Sequence, residues 1–304
     1  MKPVEDVQNG QMALHGKGPK VKKEKNSLWV ESWSRFKKNR LAIFGLSIVL
    51  FFVLLAIFAP LIAPEGINNQ KLAERLQSPS INHWFGTDDF GRDILSRVIY
   101  GARISIWIGV LSVVGSMIIG SLLGVIAAYY GRLVDVIISR AFDIMLAFPS
   151  ILLAIAIVAV LGASLENALI AIAIINVPNF GRLIRSKVLS VKEEEYIMAA
   201  KSLGMSDVRI ILRHVLPNSL APIIVQASLA VGTAILEAAA LGFLGMGAEA
   251  PQPEWGKMLA DAQQYMIQAP WTMIFPGLAI MLTVLGFNLL GDGLRDALDP
   301  KMKS

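Results

Sequence analysis

Apolar positions in this chain fall in long blocks rather than in short periodic runs. Residues 41–63 carry no charge over 23 positions. As a helix that block extends about 34 Å, enough to cross a hydrocarbon core of ~30 Å. Further blocks follow at 104–128, 147–161 (with a partly polar lead from Leu133), 165–180, 219–245 and 272–290. The third and fourth are short and contain Pro149, Glu166 and Pro178, so they decide between four spans and six. The pattern predicts an all-α polytopic membrane protein of about six transmembrane helices. Pro60 and Pro64 are expected to close the first span, and Gly291-Asp-Gly293 the last. In the second, Gly120, Gly124 and Ala128 recur every four residues, a small-residue face for close helix packing.

The polar segments complete the organisation. Residues 1–40 form a tail, polar and expected to be disordered over 1–26. A short interfacial helix is predicted after a Ser27 cap, with Trp29, Trp33 and Phe36 on one face among Arg35, Lys37, Lys38 and Arg40. Residues 64–102 form an outer loop. Residues 103–291 hold five further spans and a long loop at 181–217, and 292–304 form the C-terminus.

Composition agrees. Hydrophobic residues make up 55% and charged residues 17%, against about a quarter charged in soluble domains. Mean hydropathy is +0.58. There is no cysteine, which excludes disulfides, thiolate metal sites and a Cys nucleophile. A signal peptide is not expected, because the first apolar block starts only at Leu41 and is too long for an h-region.

The formal net charge of +5 suits either nucleic acid or membrane topology. The positions of the charges decide. With the N-terminus inside, 22 of the 28 Lys and Arg fall in inner segments and 5 in outer ones. This is the positive-inside pattern, with both termini cytoplasmic, and it accounts for the charge without nucleic acid. Trp107, Trp255 and Trp271 fall near predicted outer ends of spans, as an aromatic belt would.

The loop at 181–217 reads as two short helices about an elbow. The first ends at Gly204, a C-cap residue; the second starts after Ser206, an N-cap residue, and stops before Pro217. Ala199 and Ala200 give the first a small face for another protein's groove. Ala199-Ala200-x3-Gly204 followed by Leu216-Pro217 resembles the EAA loop of ABC importer permeases. Met198 stands where that pattern has its Glu, with Glu195 one turn earlier, and His214 replaces an apolar residue. The resemblance implies that the loop docks in a cleft of an ATPase subunit. It assigns coupling to Glu195, Ala199, Ala200, Gly204, Met205, Ser206 and Asp207.

Four other motifs resemble the C-type permease of dipeptide and oligopeptide importers, in the peptide/nickel group. They are Trp33-x2-Phe36-Lys-Lys-Asn-Arg-Leu-Ala-x2-Gly45, His83-Trp-Phe-Gly-Thr-Asp-Asp-Phe-Gly-Arg-Asp-Ile-Leu-Ser-Arg97, Leu241-Gly-Phe-Leu-Gly-Met-Gly247 and Gly291-Asp-Gly-Leu-Arg-Asp-Ala-Leu-Asp-Pro300. The family implies a second homologous permease, one or two ATPase subunits and an extracytoplasmic substrate-binding protein. It implies a bacterial cytoplasmic (inner) membrane, and a di- or oligopeptide as cargo. Nickel chelates, glutathione and opines share the same permease pattern.

The remaining polar groups suggest no covalent chemistry and no cofactor on this chain. Gly10-x5-Gly16-Lys17-Gly18 has the wrong spacing for a phosphate loop, so ATP and Mg are expected on the partner subunits. His15, His83 and His214 are scattered, and no metal site is expected. Asp88-Asp89-Phe90-Gly91-Arg92 reads as a turn with a local ion pair. Glu237 is an intramembrane carboxylate with two readings: a pathway or gate residue, or a carboxylate near the outer end paired structurally with a neighbouring helix. Arg295 and Asp299 are i, i+4 partners expected to fix the inner end and brace the coupling loop. A stand-alone ion-coupled transporter would need inverted repeats and several intramembrane charges; one charge and no repeat are visible. A membrane enzyme would need a polar catalytic cluster, and none is apparent.

Overall fold

The computed structural model describes residues 28–298. The expectations for the tail, Ser27, His15, the Gly10–Gly18 segment, the side chain of Trp29 and Asp299 lie outside the described residues. The described residues are almost wholly helical, with one isolated antiparallel bridge, Thr87 to Asp93. Five helical stretches are long and apolar enough to cross a membrane: α2 (Arg40–Ile62), α3 (Ile94–Tyr130), α6 (Leu165–Lys192), α8 with α9 (Asp207–Phe243) and α11 (Trp271–Leu298). A sixth is the bent pair α4 (Arg132–Leu146) and α5 (Ser150–Leu161), whose axes meet at 96°. The short helices α1 (Leu28–Phe36), α7 (Glu195–Ser202) and α10 (Trp255–Ala262) lie between or beside them.

Several predicted boundaries are corrected. The third span is a helix broken at Ala147–Pro149, not one run. Its first half, α4, is held to α6 by a two-pronged pair, Arg185 Nε to Asp135 Oδ1 at 2.5 Å and a second guanidinium nitrogen to Oδ2 at 2.7 Å. Arg182 reaches Asp143 at 2.6 Å. The first span passes through Pro60 and stops at Ile62. The fourth runs beyond Phe180 to Lys192, so the segment 181–217 begins as the C-terminal end of a span.

The last span does not end at Gly291-Asp292-Gly293. Those glycines are packing contacts: a Cβ on Gly291 would stand 2.6 Å from the Leu229 side chain, and one on Gly293 would collide with Ala42. Trp255 is not a belt residue either. It is fully buried, edge-on to Phe52, and its indole N–H donates to the Val98 carbonyl at 3.0 Å. Trp107, by contrast, is exposed.

Close approach organises the centre. The small face of α3 packs on α6: a Cβ on Gly120 would stand 2.5 Å from the Val177 carbonyl, and one on Gly124 would strike the Gly181 carbonyl. The main core joins α2, α3, α5, α6, α9, α10 and α11 through Phe52, Ile108, Ile172, Ile235 and Trp255. A second core lies at the C-terminal ends of α3 and α6 (Val125, Ile184, Val188) and closes over α7 to α9 (Ile197, Ile210, Val215). A third joins α1, α2 and α11 through Phe36, Ala42 and Ala297. The C-terminal end of α11 therefore packs on the first span.

Candidate functional site

The elbow is built by a break and a turn. α6 ends at Lys192, and α7 starts at Glu195. α7 closes with paired backbone bonds, Met205 N–H to the Ala200 carbonyl (3.1 Å) and Gly204 N–H to the Lys201 carbonyl (2.9 Å). That Schellman arrangement places Gly204 at φ +79°, which residues with a Cβ rarely adopt. Ser206 occupies the N-cap position of α8 (Asp207–Ile210), but its side chain makes no capping bond.

α8 does not stop before Pro217. It passes through a π-helical turn, Ile211–Val215, into α9 (Leu216–Phe243), making one helical stretch of 37 residues. Pro217 sits in the first turn of α9, where its missing N–H costs little, and the wider π turn precedes it. The elbow is thus continuous with the fifth span.

The predicted residues divide between two faces. Glu195, Ala199, Gly204, Ser206 and Asp207 are exposed; Met205 is half-buried. Ala200 is buried in the second core, so Ala199 and Ala200 do not share an outward face. The helical period explains this: Ile197, Ala200 and Ile210 point inward, whereas Met198, Leu203, Val208 and Leu212 point outward. Leu203 is 86% exposed. Glu193, Glu194 and Glu195 with Tyr196 line an open polar hollow beside this apolar surface.

Sequence reasoning missed the residues that hold the elbow to the body. The Tyr129 hydroxyl donates to Asp207 Oδ1 at 2.5 Å, and Lys192 Nζ donates to the Tyr129 carbonyl at 2.9 Å. Tyr196 and Asn218 join α7 to α9 through Asn218 Nδ2 and the Tyr196 hydroxyl, 3.1 Å apart. These pairings span tens of residues and leave no local signal.

Glu237 lies in α9 at 9% exposure and accepts from Asn176 Nδ2 of α6 at 3.0 Å. The bond ties α9 to α6. Asn176 is neutral, so this contact supplies the carboxylate with no counter-charge.

The segment between α2 and α3 folds onto the N-terminal ends of α3 and α11. Asp88 Oδ1 accepts from the N–H groups of Phe90 and Arg92, and Arg92 Nε reaches Oδ2 at 2.6 Å, as the turn reading expected. His83 is buried between Asp93 (3.0 Å) and Glu74 (3.2 Å). Burial opposes protonation of the ring, but the two carboxylates outweigh it and hold the imidazole above its ordinary value. Glu74 is correspondingly held down by its bond to His83. Glu254, also missed from sequence, caps α10 through the N–H groups of Gly256 and Lys257 (2.8 and 2.7 Å). Its burial pushes the carboxyl up against those bonds.

Comparison with known proteins places this architecture. The family described as binding-protein-dependent transport system inner membrane component matches residues 120–304. The N-terminal TM domain of oligopeptide transport permease C matches residues 27–79. The dipeptide transport system permease protein DppC of Alkalihalophilus pseudofirmus is 66% identical over 278 residues, 91% of each chain. The glutathione transport system permease protein GsiD of Pectobacterium atrosepticum is 48% identical over 277 residues, 91% of this chain and 92% of its own. Among solved structures, an inward-facing MetNI methionine ABC transporter has a chain of like fold, with a TM-score of 0.54 at 18% identity. That match covers 68% of this chain and 98% of the other. The chain belongs to the binding-protein-dependent transport system inner membrane components, as a multi-span ABC importer permease of the peptide type.

Proposed function

We propose that this chain carries dipeptides or short oligopeptides into the cell, driven by ATPase subunits that dock on the elbow formed by α7 and α8. The observation that carries the docking half is the outward face of Met198, Leu203, Val208 and Leu212. It lies on the basic side of the topology, beyond the inner end of α6, where lipid would not cover it. Apolar side chains gathered there suit a protein partner. The π turn and the continuous helix into α9 give a stiff route from that surface into the fifth span. The orientation follows from the charge asymmetry, with both termini inside a bacterial cytoplasmic membrane. A second permease, one or two ATPases that bind ATP and Mg, and an extracytoplasmic binding protein complete the assembly.

The cargo reading rests on relatives whose names specify dipeptide and glutathione transport, both short peptides. Glu237 belongs to the same proposal as a carboxylate lining the path, since its hydrogen-bond partner Asn176 is neutral.

The test is reconstitution of the full importer in proteoliposomes with a labelled dipeptide. Uptake should require ATP, and Gly204→Pro should uncouple hydrolysis from uptake, because proline reaches neither φ +79° nor the N–H bond to Lys201. Gradient-driven uptake by the purified chain without ATP would overturn the reading.

A further inference from the structure

Tyr129 stands where both arms of the elbow meet the membrane body. It is the last residue but one of α3, is 6% exposed, and packs in the second core. Its hydroxyl donates to Asp207, the first residue of α8. Its ring carries Lys201 Nζ of α7 at 5.2 Å from the centroid and Lys192 Nζ of α6 at 5.5 Å. Lys192 also donates to its carbonyl. Lys201 and Asp207 flank the Gly204 turn, so α7 and α8 are each held to the same phenol.

Without that clasp, the elbow is covalently joined to the body only through the α6–α7 break at Glu193–Glu194 and through α9. Movement of the elbow would then reach α3 by apolar packing alone. With the clasp, α3 is tied to the elbow directly. α3 in turn is in backbone-close contact with α6 at Gly120 and Gly124. A displacement at the elbow is therefore delivered to the α3–α6 pair as well as to α9.

We infer that Tyr129 is a positioning residue for energy coupling, which clasps the elbow through its hydroxyl to Asp207 and its ring to Lys201, and so passes elbow movement into α3. This rests on the proposal that ATPases dock on the elbow.

The experiment uses the complete importer in proteoliposomes and reads dipeptide uptake per ATP hydrolysed. Tyr129→Phe keeps the ring, the packing and the carbonyl, and loses the one hydroxyl bond. It should lower uptake per ATP about fivefold or more, the range of ordinary coupling free energies. Asp207→Ala should do the same, whereas Asp207→Asn keeps an acceptor oxygen and should stay near the wild-type ratio. The double variant Tyr129→Phe/Asp207→Ala should be no worse than either single change. Co-purification of all subunits with Tyr129→Phe separates uncoupling from failed assembly. An unchanged ratio in Tyr129→Phe, or additive losses in the double variant, would overturn the inference. Gly204→Pro run beside them distinguishes the two failures. If it uncouples while Tyr129→Phe does not, the clasp alone is wrong; if neither uncouples, the docking proposal falls as well.

Discussion

Asn39 joins the two ends of the described chain: its Oδ1 caps α2 through the N–H groups of Leu41 and Ala42 (3.0 and 3.2 Å), while its Nδ2 reaches Asp296 at 3.2 Å. One side chain thus starts the first span and holds the end of the last. Asn39→Ala should cost about 1–2 kcal/mol, most of it the lost cap. Asn39→Ser should recover the cap and lose only the exposed tie. Thermal unfolding of the purified chain in detergent, ranked wild type, Ser, Ala, is the check; an Ala variant melting with wild type would contradict it.

The α3–α6 contact predicts a sharp contrast between two glycines of one helix. Gly124→Leu must push its side chain into the Gly181 carbonyl, and should destabilise by at least the ~1–3 kcal/mol of an overpacked core. Gly115→Ala meets only Ala173 Cβ, at 3.6 Å, and should be neutral or slightly stabilising. Melting temperatures of the two variants test this, and equal values would mean that α3 and α6 do not approach as described.

The outer loop should respond to pH through His83. Its folded value is raised, so its contribution is complete below the ordinary histidine value near 6.5 and is lost as pH climbs through the raised one. Glu74 is shifted down, so its contribution is lost only in acid, as pH falls below the ordinary carboxylate range. Hydrogen exchange of residues 72–93, corrected for intrinsic rates, should quicken between neutral and alkaline pH. His83→Gln should remove most of that dependence, and an unchanged profile in the variant would show that another group governs the loop.

Glu237 separates transport from stability. Glu237→Gln keeps the side-chain length and an acceptor for Asn176, and should melt close to wild type. Uptake of a labelled dipeptide should fall markedly. Wild-type uptake would assign the carboxylate to structure alone.

What the sequence made legible follows from how local each signal is. α2 and most of α3 announce themselves as uncharged apolar runs, and the Gly120, Gly124, Ala128 spacing named the face that meets α6. The 96° break was hidden, because Arg132, Asp135, Arg140 and Asp143 give α4 the look of a cytoplasmic segment; Arg185 and Arg182, the partners of Asp135 and Asp143, lie on another span. Gly291 and Gly293 looked like a stop because composition cannot tell a helix-breaking glycine from one that admits Leu229 or Ala42. At the elbow, Gly204 was readable from its capping role. The inward turn of Ala200 needed the neighbouring Ile197 and Ile210 to be read as core. Tyr129 was invisible because its partner Asp207 is 78 positions away.

The central claim is that the outward face of the elbow is covered by an ATPase subunit. The chain has no cysteine, so single cysteines report cleanly. Leu203→Cys, at an exposed position, and Ile197→Cys, at a buried one, can be compared in the chain alone and in the assembled importer, with a maleimide and with a thiol-to-lysine crosslinker. The prediction is that the cysteine at 203 labels readily in the chain alone, and in the complex becomes protected and crosslinks to the ATPase, while that at 197 does neither. A cysteine at 203 that labels equally in both states and yields no crosslinked ATPase would contradict it.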